Sequence, residues 1–161
     1  MVRYAGRVFG VAFWLAAALP GSREVPADEP ALVVEGLAGG ARVLGLADLR
    51  HMGATELMTS TPWTDRPETF TGVTGRRFVE ALEATGTEVI AEALNEYRVA
   101  IPFPVLATDD ALLAYARNGE PMSVRDKGPV WIVFPFDADP RFLSDSHRAY
   151  SIWNLIRLEF R

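Results

Sequence analysis

The chain has 161 residues, of which 49% are hydrophobic and 23% charged, and its formal net charge is −5. This length and composition predict one globular domain with an ordinary hydrophobic core. The acidic balance and the scattered basic residues argue against nucleic acid as a partner. The chain contains no cysteine, which excludes disulfides, thiolate metal sites and thiol nucleophiles.

The first 27 residues have the pattern of a signal peptide. Arg3 and Arg7 precede an apolar run over 8–19, and small residues at 25–27 offer a cleavage site. The apolar run is shorter than the roughly 20 residues that span a bilayer. We therefore predict a cleaved signal peptide at 1–27, a mature chain without a transmembrane span, and a periplasmic or secreted product. An uncleaved anchor is the alternative.

Short strands predominate in the predicted domain, which covers residues 28–161. Predicted strands lie at 31–35, 42–46, 55–61, 87–94, 97–101, 111–116, 130–134 and 151–160. A short helix or turn at 47–52 and a helix at 75–84, with Thr74 as its N-cap, separate them. Residues 135–148 are polar and predicted to be irregular. Many short strands with few helices predict a mixed α+β domain.

The stretch from Ala111 to Pro135 holds two apolar runs that are joined by a polar link. The link begins at Asn118-Gly119, whose residues tolerate positive φ, and ends at Gly128-Pro129 before the second run. It is too long for a two-residue hairpin turn. We therefore predict two core strands that are joined by a shaped loop, which carries Lys127, the only lysine of the chain.

The order of several short motifs is familiar. LLAY is followed by NGEP, a basic loop, a glycine-proline, a hydrophobic strand ending in proline, and finally AYSIWNLIRLEF. This order resembles the sulfite-oxidase-type oxidoreductase molybdopterin-binding domain family over most of the chain after the leader. The resemblance implies a strand-rich fold of that type, in a small, stand-alone, cysteine-less member.

The resemblance also draws attention to Ser60. In the family, a cysteine on the corresponding strand ligates molybdenum, and the stretch 57–63 places Ser60 there, give or take one position. A hydroxyl is a harder and far less acidic ligand than a thiol. We therefore favour hydrogen bonding of Thr59, Ser60 and Thr61 along a strand, with a serine ligand as the alternative.

Positions that hold the pterin phosphate in the family differ here. The resemblance places Lys127, Trp131, Tyr150 and Trp153 where the enzymes carry a histidine, two arginines and a lysine, so only Lys127 keeps a positive charge. A phosphate needs several converging donors and cations. Trp131 and Trp153 are predicted to be core residues, although a partly open aromatic pocket would suit a flat organic ligand.

The resulting candidates for binding a cofactor or ligand are six residues: Ser60, Thr61, Trp63, Lys127, Tyr150 and Trp153. No catalytic or metal-binding residue is predicted. His51 and His147 lack metal-like spacing, and Asp109-Asp110 and Asp137-Ala138-Asp139 are typical of turns. No nucleophile, phosphate-loop or dinucleotide motif is present.

These observations predict an exported domain without the metal cofactor that acts as a ligand-binding or sensory accessory module. The leader agrees, because its arginines are not adjacent and exported cofactor-bearing members, as the resemblance implies, use a twin-arginine signal. The expected partner is a small organic ligand, a membrane sensor or a redox partner. One alternative is a molybdopterin-dependent oxidoreductase with altered metal coordination. Another is a structural envelope protein in which Trp63, Trp131 and Trp153 are all buried.

Overall fold

The computed structural model describes residues 29–161, so the predicted signal peptide at 1–27 lies outside the described residues. The ten strands in this part of the chain are β1 (Pro30–Glu35), β2 (Arg42–Gly45), β3 (Thr55–Thr59), β4 (Glu68–Thr74), β5 (Glu88–Ala93), β6 (Arg98–Pro102), β7 (Leu112–Arg117), β8 (Glu120–Pro121), β9 (Trp131–Val133) and β10 (Leu155–Phe160). The helices are α1 (Leu46–Met52), α2 (Gly75–Ala81), α3 (Phe103–Leu106) and α4 (Asp145–Tyr150), with 3₁₀ turns at Val124–Asp126 and Pro140–Leu143. None of these helices is long and apolar enough to cross a membrane.

The strands form two five-stranded sheets. The first sheet has the order β2-β1-β10-β5-β6, in which β1 and β10 run parallel and the other pairs are antiparallel. The second sheet has the order β3-β4-β7-β8, and β9 also pairs with β7. All its pairs are antiparallel. The prediction of a mixed, strand-rich α+β domain is therefore confirmed.

Strands β7 and β9 of the second sheet are buried on both faces. Successive side chains of a strand point to opposite faces, so each strand supplies two layers. Leu113 and Ile132 belong to the main core, which draws on both sheets, while Ala114 and Trp131 belong to a second, smaller cluster. We call the face that carries Ala114 and Trp131 the outer face. Burial on both faces explains why these two strands read as continuous apolar runs.

The loop between β7 and β9 has the shape that its turn residues predict. Asn118 and Gly119 both adopt positive φ, +52° and +85°, and so reverse the chain into the short strand β8. Beyond the 3₁₀ turn, Lys127 also has a positive φ of +74°. A Cβ atom at Gly128 would overlap the Met122 carbonyl, so only glycine lets the two ends of this loop approach so closely.

Several predicted elements are confirmed. Thr74 caps α2, since its hydroxyl accepts a hydrogen bond from the Arg77 backbone N–H at 3.4 Å. The hairpin around Asn95-Glu96 joins β5 to β6, and Gly53 ends α1.

Other expectations are wrong. The strand β4 and the short helix α3 were not predicted. Residues 135–148 are not irregular throughout, because they contain a 3₁₀ turn and most of α4. The last strand starts at Leu155 rather than at Ser151, since α4 extends to Tyr150 and a turn follows it.

Candidate functional site

An aromatic cluster covers the outer face of the second sheet. Three tryptophans form its centre, with ring centroids 4.9 Å apart for Trp63 and Trp153, 6.1 Å for Trp63 and Trp131, and 6.3 Å for Trp131 and Trp153. Phe70 of β4 packs edge-on against Trp131 at 5.3 Å. These tilted and edge-on pairs are arrangements that aromatic rings favour.

Trp131 is the anchor of this cluster. Its side chain is fully buried, and its indole N–H donates to the carbonyl and the hydroxyl of Ser151 at 3.3 and 3.2 Å. Trp63 and Trp153 are only partly buried. The structural-protein interpretation expected all three tryptophans to be buried, and that expectation is met by Trp131 alone.

Trp63 is held in place by a turn that Thr61 and Thr64 close. The Thr61 hydroxyl accepts a hydrogen bond from the Trp63 backbone N–H at 3.2 Å. The Thr64 hydroxyl accepts from the Thr61 backbone N–H at 2.8 Å, and the Thr64 N–H donates to the Thr61 carbonyl at 3.1 Å. Thr61 is buried, so its hydroxyl serves to orient the first tryptophan of the cluster.

The preceding two residues are tied to the loop after β9. The buried Thr59 hydroxyl donates to the Ser60 carbonyl at 3.0 Å and accepts from the Asp137 backbone N–H at 3.2 Å. The Ser60 backbone N–H donates to the Asp137 carboxylate. Within residues 29–161 the Ser60 hydroxyl has no hydrogen-bond partner. Of the three neighbouring hydroxyls, only that of Ser60 is therefore left without a bond inside the described domain.

Lys127 lies beside the aromatic cluster. Its ammonium nitrogen is 4.5 Å from the ring centroid of Trp153 and 5.7 Å from that of Trp131. The loop that carries it is fixed by Asn154, whose backbone N–H donates to the Lys127 carbonyl at 3.0 Å and whose side chain donates to the Val124 carbonyl at 2.8 Å. No carboxylate in the described part of the chain forms an ion pair with Lys127. The tryptophan rings are its cation–π partners.

A cleft opens beside Trp63 and Trp153, which we call the tryptophan cleft. It has a volume of about 270 Å³ and is mainly apolar. Its lining residues are Trp63, Ala93, Asn95, Tyr97, Arg148, Ala149, Ile152 and Trp153. Two of the six predicted site residues thus line one cavity, and Lys127 contacts the ring of one of them, Trp153.

Tyr150 lies elsewhere. It packs against the main core, and its ring is 6.0 Å from His147, edge-on. His147 lines a second cavity of about 200 Å³ with Asp110 and Arg141, which form an ion pair of 2.9 Å. Burial lowers the pKa of His147 from its ordinary value of 6.5, and the nearby Arg141 lowers it further. This second cavity contains none of the six predicted residues.

Sequence reasoning missed Arg148 and Tyr97, which line the tryptophan cleft. Arg148 stands on α4, in the stretch that was expected to be irregular, and Tyr97 stands in the β5–β6 hairpin. A helix start signal was present, because the Ser144 hydroxyl accepts from the His147 backbone N–H as an N-cap. Among the described residues, no group of three or more histidine or carboxylate side chains is placed to hold a metal ion.

Comparison with known proteins finds a matching family model and a solved structure with a similar fold. A family model described as oxidoreductase molybdopterin binding domain matches residues 20–137. The chain is similar in structure to the sulfane dehydrogenase SoxCD from Paracoccus pantotrophus, with a TM-score of 0.57 at 17% sequence identity. That likeness covers 83% of this chain but only 38% of the sulfane dehydrogenase chain. A search of curated proteins finds no match.

Proposed function

We propose that this chain, which belongs to the oxidoreductase molybdopterin binding domain family, is a ligand-binding member that does not hold molybdenum. The observation that carries this proposal is the tryptophan cleft of about 270 Å³, with the half-buried Trp63 and Trp153 as its walls. Concave, mostly apolar cavities with a few polar groups are the usual form of sites for small organic ligands.

The donors at the candidate metal position do not fit a molybdenum–pterin group. The family resemblance implies a thiolate ligand, and this chain has no cysteine. The hydroxyls of Thr59 and Thr61 are already hydrogen-bonded within the domain. A neutral hydroxyl is a poor substitute for the soft thiolate that this position supplies in the family.

The donors for a pterin phosphate are equally sparse. Of the four positions that the resemblance assigns to the phosphate, only Lys127 carries a charge, and its ammonium lies against two indole rings. The indole N–H of Trp131 is satisfied by Ser151, and Tyr150 packs against the main core. A dianionic phosphate needs several charge-assisted donors that converge on it.

The proposed biological role is that of an exported accessory module. In this role the domain, in the periplasm or outside the cell, binds a small organic ligand and passes that state to a membrane sensor or a redox partner. The sequence of the leader supports export, and the partly open cleft supports ligand binding.

One observation favours a second candidate function, a molybdopterin-dependent oxidoreductase with altered coordination. The Ser60 hydroxyl makes no hydrogen bond within residues 29–161 and lies at the position that the resemblance assigns to the metal ligand. This candidate requires a bound pterin and redox activity with an artificial electron acceptor, and it requires that Ser60→Ala abolish both. If Ser60→Ala has no effect on either, the second candidate is excluded.

A titration tests ligand binding in the cleft. We expect neutral aromatic fragments to shift the indole N–H signals of Trp63 and Trp153 in a nitrogen-15 NMR spectrum, with little change at the fully buried Trp131. Trp153→Ala should abolish the shifts at Trp63. The matched control Val43→Ala removes an exposed apolar side chain from β2 of the first sheet and should leave them unchanged. Fragment-induced shifts that persist in Trp153→Ala contradict a site in this cleft.

A further inference from the structure

In the described part of the chain, Arg148 is the one charged side chain that lines the tryptophan cleft. Arg148 stands on α4 directly before Ala149, which also lines the cleft. Within residues 29–161 its guanidinium forms no ion pair and no hydrogen bond. By contrast, Arg141, seven residues earlier, forms an ion pair with Asp110 at 2.9 Å.

The local charge is opposite in sign to that of the whole chain. The formal net charge is −5, yet among residues 29–161 no aspartate or glutamate lines the tryptophan cleft. A second cation is close to the lining, since the Lys127 ammonium is 4.5 Å from the centroid of the Trp153 ring. A cavity with low-dielectric walls that is lined by positive charge raises the local concentration of anions.

The walls of the cleft favour a flat ligand. Trp63 and Trp153 stand at 68° to each other with centroids 4.9 Å apart, so a planar ring can lie against one indole face while its edge meets the other. The volume of about 270 Å³ lies just below the range of roughly 300 to 1,000 Å³ that is typical of sites for drug-sized ligands. A volume of this size suits a ligand of one or two rings.

We infer that the tryptophan cleft binds a planar aromatic carboxylate of one or two rings, whose carboxylate pairs with the Arg148 guanidinium. This inference rests on the proposed ligand-binding function and specifies the class of ligand. A guanidinium matches a carboxylate through two parallel N–H···O bonds, which neither a neutral amide nor a cationic amine can provide. The Tyr97 ring, also in the lining, supplies further aromatic surface.

Two probes that have the same shape but differ in charge test whether the cleft prefers an anion. Naphthalene-2-carboxylate carries the anion, and naphthalene-2-carboxamide is its neutral counterpart. By calorimetric titration of the full chain, we expect the carboxylate to bind at least about tenfold more tightly than the amide, because a hydrogen-bonded charge pair contributes more than a neutral bond. The preference should shrink as salt concentration rises, since the exposed Arg148 is screened.

Variants of the chain assign the preference to one residue. Arg148→Gln should remove the preference, so that the carboxylate binds no more tightly than the amide. The control Arg42→Gln makes the same charge change on β2 of the first sheet and should alter neither affinity. Arg148→Lys should restore only part of the preference, since an ammonium lacks the two-pronged geometry.

The outcomes separate this inference from the proposed function. Equal affinities for the two probes, or a preference that survives Arg148→Gln, overturn the carboxylate inference while ligand binding in the cleft stands. Binding of neither probe also overturns the inference. The proposed function fails separately, if the neutral fragments of the NMR titration also leave the Trp63 and Trp153 signals unmoved.

Discussion

The two faces of the second sheet are built from the same strands but are covered in different ways. The inner face meets the main core, which includes side chains from both sheets, whereas the outer face is covered by loops that carry Trp63, Lys127 and Trp153. The tryptophan cleft of about 270 Å³ opens where Trp63 and Trp153 of the outer layer meet Ala93 and Ile152 of the main core. We therefore expect the inner face to carry most of the stability and the half-buried tryptophans of the outer layer to contribute to the ligand cleft.

The largest expected effect comes from the inner face. Phe134 is only 1% exposed and belongs to the main core. Its ring stacks with that of Phe142, with the two ring centroids 6.1 Å apart. Phe134→Ala should lower the free energy of unfolding by about 3 to 5 kcal/mol, because it removes buried apolar surface and leaves a cavity. Urea denaturation measures the loss. The control Leu143→Ala, at a position that is 47% exposed, should cost far less. Equal losses in the two variants contradict the assignment of stability to the inner face.

A smaller loss is expected at the turn that supports the outer face. Thr61→Val keeps the side-chain shape but leaves the Trp63 backbone N–H without its acceptor. We expect the free energy of unfolding to fall by about 1 to 3 kcal/mol. Aromatic fragments should also bind more weakly, because Trp63 is no longer held in its orientation. Denaturation and the indole NMR signals report the two effects. Unchanged fragment binding shows that the turn does not position Trp63.

Lys127 provides a still smaller test of the outer face. Lys127→Met keeps much of the side-chain length but removes the charge that faces Trp153 and Trp131. We expect the free energy of unfolding to fall by about 0.5 to 1 kcal/mol, the usual size of a partly exposed cation–π interaction. The matched change Arg125→Met, at an exposed position in the same loop, should have a smaller effect. Equal losses indicate that the tryptophan contacts of Lys127 contribute nothing.

The smallest expected effect is a pH dependence from His147, which packs edge-on against Phe134 and Phe142. Its pKa is lowered in the fold, chiefly by burial and then by Arg141, while Asp110 opposes the shift. The unfolded chain therefore binds the proton more readily, and His147 stabilises the fold above pH 6.5 but loses that contribution as the pH falls through its lowered pKa. The free energy of unfolding, measured between pH 8 and 5.5, should show this decline. The His147→Gln variant should show a smaller decline. An equally steep decline in the variant assigns the effect to other groups.

Much of the fold is readable from the sequence because its strongest signals are local. The apolar runs of β7 and β9 and the capping threonine of α2 are signals within a few residues of one another, and each predicts its element. The strand β4 was missed because its sequence ETFTGVT mixes polar residues with a glycine and follows a proline. Its structure is determined by pairing with the preceding strand β3 and with β7, which lies much later in the chain.

The tryptophan cleft was only partly predictable. Trp63, Lys127 and Trp153 came from a family resemblance, and the structure brings these three side chains together. Arg148 and Tyr97 were missed because they join the cleft only through the packing of α4 and the β5–β6 hairpin around Trp153. Such a long-range arrangement leaves no periodic signal in the sequence, since neither residue belongs to a motif of its own.

The most direct test of the central claim is the molybdenum and pterin content of the protein purified from its native host. Elemental mass spectrometry measures the metal, and fluorescence after oxidation measures the pterin. The absence of a thiol ligand and the hydrogen-bonded hydroxyls of Thr59 and Thr61 predict far less than one molybdenum per chain and no pterin. About one molybdenum per chain together with a pterin would contradict the account and make Ser60 the residue to test as a ligand.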